Sequence, residues 1–141
     1  MIREISIRIE NEPGRMFRVA RALGDAGIDI TALSVAGSET AGVLRLIVSD
    51  TAAARQTLMR LDLPAAVGEV VAVAIPDTPG SLAGVLALLE AQSINVVHLY
   101  AFRRTGSERA VVVMHTDRDE DVEGILETAG MPLVDEEALR G

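Results

Sequence analysis

Asn11-Glu12-Pro13-Gly14-Arg15-Met16 decides how this chain is read, because the sequence writes the motif twice. Asp77-Thr78-Pro79-Gly80-Ser81-Leu82 is the second copy, 66 positions on, counted from Pro13 to Pro79. Both copies follow an alternating apolar run: Ile5, Ile7 and Ile9 before the first, Val71, Val73 and Ile75 before the second. Alternation with period two is the pattern of a half-buried strand. Both copies open a stretch with helical apolar spacing, Met16, Val19, Ala20, Leu23 and Ala26 in one, Leu82, Val85, Leu86 and Leu89 in the other. Pro13 suits the first helical position, where its missing N–H costs nothing. Gly27 suits the helix stop. Both stretches then reach a triplet, Ile28-Asp29-Ile30 and Ile94-Asn95-Val96.

The rest of each half follows the same order. Val43 to Ser49 is nearly all apolar, which places it centrally in a sheet. A hairpin loop, Gly37 to Gly42, precedes it, and Asp50 or Thr51 caps a helix over 52–61 with Ala54, Leu58 and Leu61 inward. Residues 65–67 can add a short strand. The second half repeats the scheme with a strand over 94–102, a turn over Arg103 to Ser107, and a strand over 110–115. An acidic helix over 117–129 and a short strand over 132–134 follow, and the tail, 135–141, allows one helical turn. Pro13/Pro79, Gly14/Gly80, Val19/Val85, Leu23/Leu89, Ile28/Ile94 and Leu33/Leu99 stay in register. The chain therefore reads as an internal duplication, halves 1–68 and 69–141, each βαββαβ. The expected fold is α+β: two ferredoxin-like units paired into one continuous antiparallel sheet with four helices on one face. Residues 62–76 read equally as two strands or as one bent strand. A sheet face bearing Ala72 and Ala74 is expected to be covered, and a homodimer through it is one way to do so.

Composition limits the function. The chain has 141 residues, 49% hydrophobic, enough for a packed core rather than disorder. Its net charge of −8 and only three aromatic residues, Phe17, Tyr100 and Phe102, argue against nucleic acid, which needs a basic face or stacking platforms. The acidic balance also argues against anionic membranes. Cysteine is absent, so disulfides, thiolate nucleophiles and zinc–thiolate sites are out. The first residues lack a signal-peptide pattern and no run approaches a membrane span of about 20 apolar residues. The expectation is a cytoplasmic protein.

The strand, the Asn/Asp-x-Pro-Gly-x-Leu/Met loop, the helix and the Ile-Asp/Asn-Ile/Val triplet together resemble an ACT domain. The resemblance covers the whole chain, and its duplication is similar to stand-alone tandem ACT proteins of bacteria. It implies a non-catalytic, allosteric, amino-acid-binding regulator of a metabolic enzyme. By analogy with the acetolactate synthase small subunit, it implies a branched-chain amino acid as the ligand. It also implies ligand held between two domains. One site would take Asn11, Glu12, Pro13, Gly14, Arg15 and Met16 with Asn95 and Val96. A second, weaker site would take Asp77, Thr78, Pro79, Gly80, Ser81 and Leu82 with Asp29 and Ile30.

Chemistry separates these two sites. A helix start offers N–H groups to a ligand carboxylate. Asn11 and Asn95 can both donate and accept, which suits a zwitterion; ionised Asp77 and Asp29 only accept and repel a carboxylate. Pro-Gly at a helix start is also ordinary turn chemistry, Asp77 a loop cap and Asp29 a solvated turn residue. His98 and His115 read as sheet histidines, although His98 could line a ligand pocket. Met16 and Met114 read as core, and Arg103-Arg104 as a solvated turn. Asp117 to Asp121 reads as a helix start satisfying the dipole rather than a metal loop. No Ser/His/Asp order, phosphate-cradling loop or metal-ligand spacing occurs, so neither catalytic residues, nor a metal, nor a cofactor are expected. Two alternatives stand beside the regulator: an oligomerisation module with degenerate sites, and a small ferredoxin-like enzyme.

Overall fold

The computed structural model describes residues 1–10 and 12–140, and the backbone alone for Arg140. They run β1 (Ile2–Glu10), α1 (Arg15–Asp25), β2 (Ile30–Gly37), β3 (Ala41–Val48), α2 (Thr51–Met59), β4 (Ala65–Pro76), α3 (Ser81–Ala91), β5 (Val96–Arg103), β6 (Arg109–Thr116), α4 (Asp119–Thr128) and α5 (Glu136–Arg140). The chain divides into two compact units, Arg3–Gly68 and Met1–Ile2 with Glu69–Gly141.

In the first unit β3 lies between β2 and β1, antiparallel to both, with Leu46 opposite Ile5 and Leu33. The apolar run of β3 therefore marks a central strand, as its composition predicts. Ile5, Ile7 and Ile9 face the helices and join Leu44, Leu46, Val19, Leu23, Ala54 and Leu58 in one core. The second unit repeats this. β6 lies between β4 and β5, and Val71, Val73 and Ile75 pack with Val112, Met114, Val85, Leu89, Val122 and Leu126. Each unit is a ferredoxin-like α+β arrangement with two helices on one sheet face. With no aromatic side chain in either core, packing rests on branched aliphatics.

Several boundaries differ from the periodicity. Residues 65–76 form one strand, β4, because no turn residue with the needed geometry interrupts it; Gly68 lies within the strand and not at positive φ. Leu63 and Ala65 pack on the first core. In the second unit Met131 and Leu133 take those places, and Leu133 bridges Val73 through Ala74 N–H to Pro132 O and Val134 N–H to Ala72 O. The expected short strand over 132–134 is thus a single bridge. Met16 is not core: it is 39% exposed, and Ala20 and Ala26 are exposed too, leaving Val19 and Leu23 as the buried pair of α1. A helix laid on a sheet buries a narrower stripe than its apolar residues cover. Met114 is fully buried, as expected. Asp50 caps α2, its carboxylate accepting from Ala53 N–H at 3.0 Å.

Each core is small, so one buried leucine matters. Leu58 is fully buried between α2 and the sheet. Leu58→Ala should lower unfolding free energy by about 2–5 kcal/mol. Urea denaturation should show this as a lower midpoint with an unchanged slope.

Candidate functional site

Both Pro-Gly loops make the same turn. Arg15 N–H donates to Glu12 O at 3.3 Å and Ser81 N–H to Thr78 O at 3.2 Å. Gly14 sits at φ 90°, ψ −10° and Gly80 at φ 88°, ψ −11°. These are the values of the third residue of a type II turn, with proline in the favoured second place. Pro13 is therefore a turn residue, and the helix starts at Arg15; the expectation that Pro13 opens the helix is corrected. A positive φ is open to glycine and strained for other residues by roughly 1–2 kcal/mol, which is why the sequence keeps Gly at both places.

Gly14 then serves as the cap of α1. Its carbonyl takes the first helical bond, from Arg18 N–H at 3.0 Å, and no side chain caps the helix. Gly80 does the same for α3 through Gly84 N–H at 3.0 Å. A glycine cap leaves the first-turn amides uncovered by a side chain. The first loop borders a cleft of about 440 Å³ lined by Ile9, Glu10, Glu12 to Arg15, Met16 and Phe17. Arg15 leans between two carboxylates, 3.2 Å from Glu10 and 3.5 Å from Glu12. Those acids occupy the guanidinium and leave the backbone as the donor set for an anion. Asn11 lies outside the described residues.

The second loop has different neighbours. Asp77 N–H donates to Glu108 O at 3.2 Å, and Thr78 and Ser81 join hydroxyls at 2.9 Å. Arg103 Nη1 reaches Asp77 Oδ2 at 3.1 Å while its Nε donates to Ser107 O at 2.8 Å. Arg104 Nη1 donates to Ala138 O at 2.6 Å. Arg103 is exposed, as expected of a hairpin end, but both arginines also have fixed partners. A shift of 66 sets Arg103 on Gly37, but the contact with Asp77 depends on the length of the second hairpin.

The triplets are built alike. Asp29 N–H donates to Ser49 Oγ and Asp29 O accepts from Ser49 N–H, both at 2.9 Å. Asn95 N–H donates to Asp117 Oδ1 at 3.0 Å and Asn95 O accepts from Asp117 N–H at 3.1 Å. Asp29 and Asn95 are exposed, and Ile30 and Val96 begin β2 and β5. Within a unit the triplet and the loop lie at opposite ends of the sheet. Ile30 pairs with Val48, whereas Glu10 pairs with Ala41 at the other end of β3. Val96 pairs with Thr116, and Pro76 with Arg109, in the second unit. Neither unit brings its own loop and triplet together.

Other polar residues are accounted for locally. His98 and His115 face each other across β5 and β6, on the face opposite Val112 and Met114, with ring centroids 5.5 Å apart. His115 Nδ1 meets Asp119 Oδ2 at 2.7 Å, and Asp119 Oδ1 accepts from Thr116 N–H and Oγ1. Asp119, Glu120 and Asp121 fill the first turn of α4, where the helix dipole favours acids. Among the described residues no group of three or more His, Asp or Glu is placed to hold a metal ion, and no helix is long and apolar enough to cross a membrane.

The duplicated turn, strand order and helix placement define a tandem of ferredoxin-like folds. The family of ACT domain pairs matches residues 1–141, and the chain belongs to it. Protein BT0572 from Bacteroides thetaiotaomicron is similar in structure, with a TM-score of 0.90 at 29% identity over 98% of this chain and 94% of that one. The ligand-free regulatory subunit of aspartate kinase from Thermus thermophilus shares the fold, with a TM-score of 0.64 at 18% identity over 90% and 91% of the two chains. The sequence has no match among curated proteins.

The hairpin beside the first loop is sterically fixed. A Cβ on Gly37 would stand 2.2 Å from Ala41 O and 2.5 Å from Gly42 Cα, whereas one on Gly68 meets nothing within 4 Å. Gly37→Ala should cost about 1–3 kcal/mol, read as a lower thermal midpoint, while Gly68→Ala, inside a strand with room for the methyl, should raise the midpoint by a few degrees.

Proposed function

We propose that this ACT domain pair is a non-catalytic sensor that binds a free amino acid and regulates a metabolic enzyme. The observation that carries the reading is the first Pro-Gly turn: a side-chain-free cap at a helix start, opening on a cleft with acids on its rim. Uncovered first-turn amides suit an α-carboxylate. Glu10 and Glu12 suit an α-ammonium. In this reading, Asn11 and Asn95 complete the same site, with Gly14 at its floor. Because a unit's own loop and triplet lie at opposite ends, the second partner comes from the other half or from another copy of the chain. The halves 1–68 and 69–141 are taken as the two ACT domains. The Asp77/Asp29 pair, with Thr78 to Leu82 and Ile30, forms the weaker counterpart.

The ligand class follows from the family, and a branched-chain amino acid is the first candidate. At 18% identity the aspartate kinase subunit supports the fold alone, so the target enzyme is left to pull-down. We take the protein to act in the cytoplasm as a homodimer, for which light scattering on a size-exclusion column is the measurement. Phe17, Leu33 and Val35, each about half exposed or more, offer apolar surface for such contacts. A regulatory effect further requires different ligand affinity in two conformations.

Calorimetry with each proteinogenic amino acid tests the reading. One of them should bind near one per chain. Asn11→Ala and Asn95→Ala should each weaken it about tenfold to a hundredfold, the cost of one hydrogen bond to a charged group. Absence of heat with every amino acid, on folded protein, would overturn the sensor and leave the interaction module.

A further inference from the structure

The two loops share one turn and differ in what stands beside it. β2 and β5 match at a shift of 66, from 30–37 to 96–103, but β3 and β6 match at 68, from 41–48 to 109–116. The second hairpin is two residues longer. The consequence falls on the last residue of the edge strand. At Gly37 the short hairpin turns so tightly that any Cβ would collide with Ala41 O. No side chain can reach toward the first loop from there. At the matched position in the second half the longer hairpin admits Arg103. It also supplies Ser107 O, which takes Arg103 Nε at 2.8 Å and aims the arm at Asp77.

We propose that Arg103 is a built-in cationic occupant of the second loop, closing it to a zwitterionic ligand and leaving one open loop per chain. The inference rests on the amino-acid-binding reading above. The guanidinium stands against Asp77, in the space beside the turn that a ligand ammonium would fill. The pair is exposed, 57% for Arg103 and 50% for Asp77. An exposed ion pair shifts an equilibrium by no more than about fivefold. Charge pairing alone is therefore too weak to close a site. Arg103 acts because its arm is also tied to the hairpin and stands at the strand end where the first unit has Gly37.

The test is binding stoichiometry. Each proteinogenic amino acid is titrated by calorimetry into wild type, Asp77→Asn, and Asp77→Asn/Arg103→Ala. The double variant gives the second loop the Asn-x-Pro-Gly pattern of the first and removes the long side chain from its strand end. It should bind one more ligand per chain than wild type, and Asp77→Asn alone should bind the wild-type number. Equal numbers in double variant and wild type overturn the inference, as does a gain already present in Asp77→Asn. Two ligands on wild type also overturn it. No ligand on wild type but one on the double variant upholds Arg103 as occupant and overturns the first-loop reading. No ligand on either overturns both. Thermal melts confirm folding, and Arg103→Thr, a good strand residue, replaces Arg103→Ala if the double variant unfolds.

Discussion

Each unit depends on a strand becoming a helix within four residues. A strand that ends at Glu10 and a helix that begins at Arg15 need a reversal with one residue at positive φ. Proline fixes the first turn residue and glycine supplies the second at no steric cost. From that reversal the direction of α1 follows, then the position of β2, then the central place of β3. Gly80 repeats the step within a few degrees of Gly14. The same glycine that permits the turn also leaves the helix without a side-chain cap. Architecture and candidate site thus come from one backbone requirement.

Much of this was legible before any coordinates. The duplication, the alternation of Ile5, Ile7 and Ile9, and the run through β3 defined the fold, because periodicity records which face is buried. The helix boundaries and the buried stripe of α1 were less legible. Val19 and Leu23 are core while Met16, Ala20 and Ala26 are not, since periodicity marks a face and not its depth. The bent region 62–76 was ambiguous because Gly68 signals a break only if it takes positive φ, and it does not.

The site was legible in outline and not in its neighbours. The motif located both turns, and the chemistry of Asn against Asp separated them. What stayed hidden was a contact 26 residues apart, from Arg103 to Asp77. It depends on the hairpin length, and a fixed shift of 66 conceals a change to 68 unless both strands of the hairpin are aligned separately. Ser49 and Asp117, which hold the triplets by the same pair of bonds, were hidden for the same reason: they match only at 68.

Two copies of one unit begin with equal chemistry, and substitution at the motif is the obvious way for them to diverge. Here backbone length does part of that work. A tight hairpin forbids a side chain at its last strand residue, so none comes to the first loop from position 37. Two added residues lift that prohibition in the second hairpin and create the carbonyl that holds the new arm. The difference between the loops is then protected by sterics on one side and by a tether on the other. Asp77 fits the second loop because a cation is already provided there.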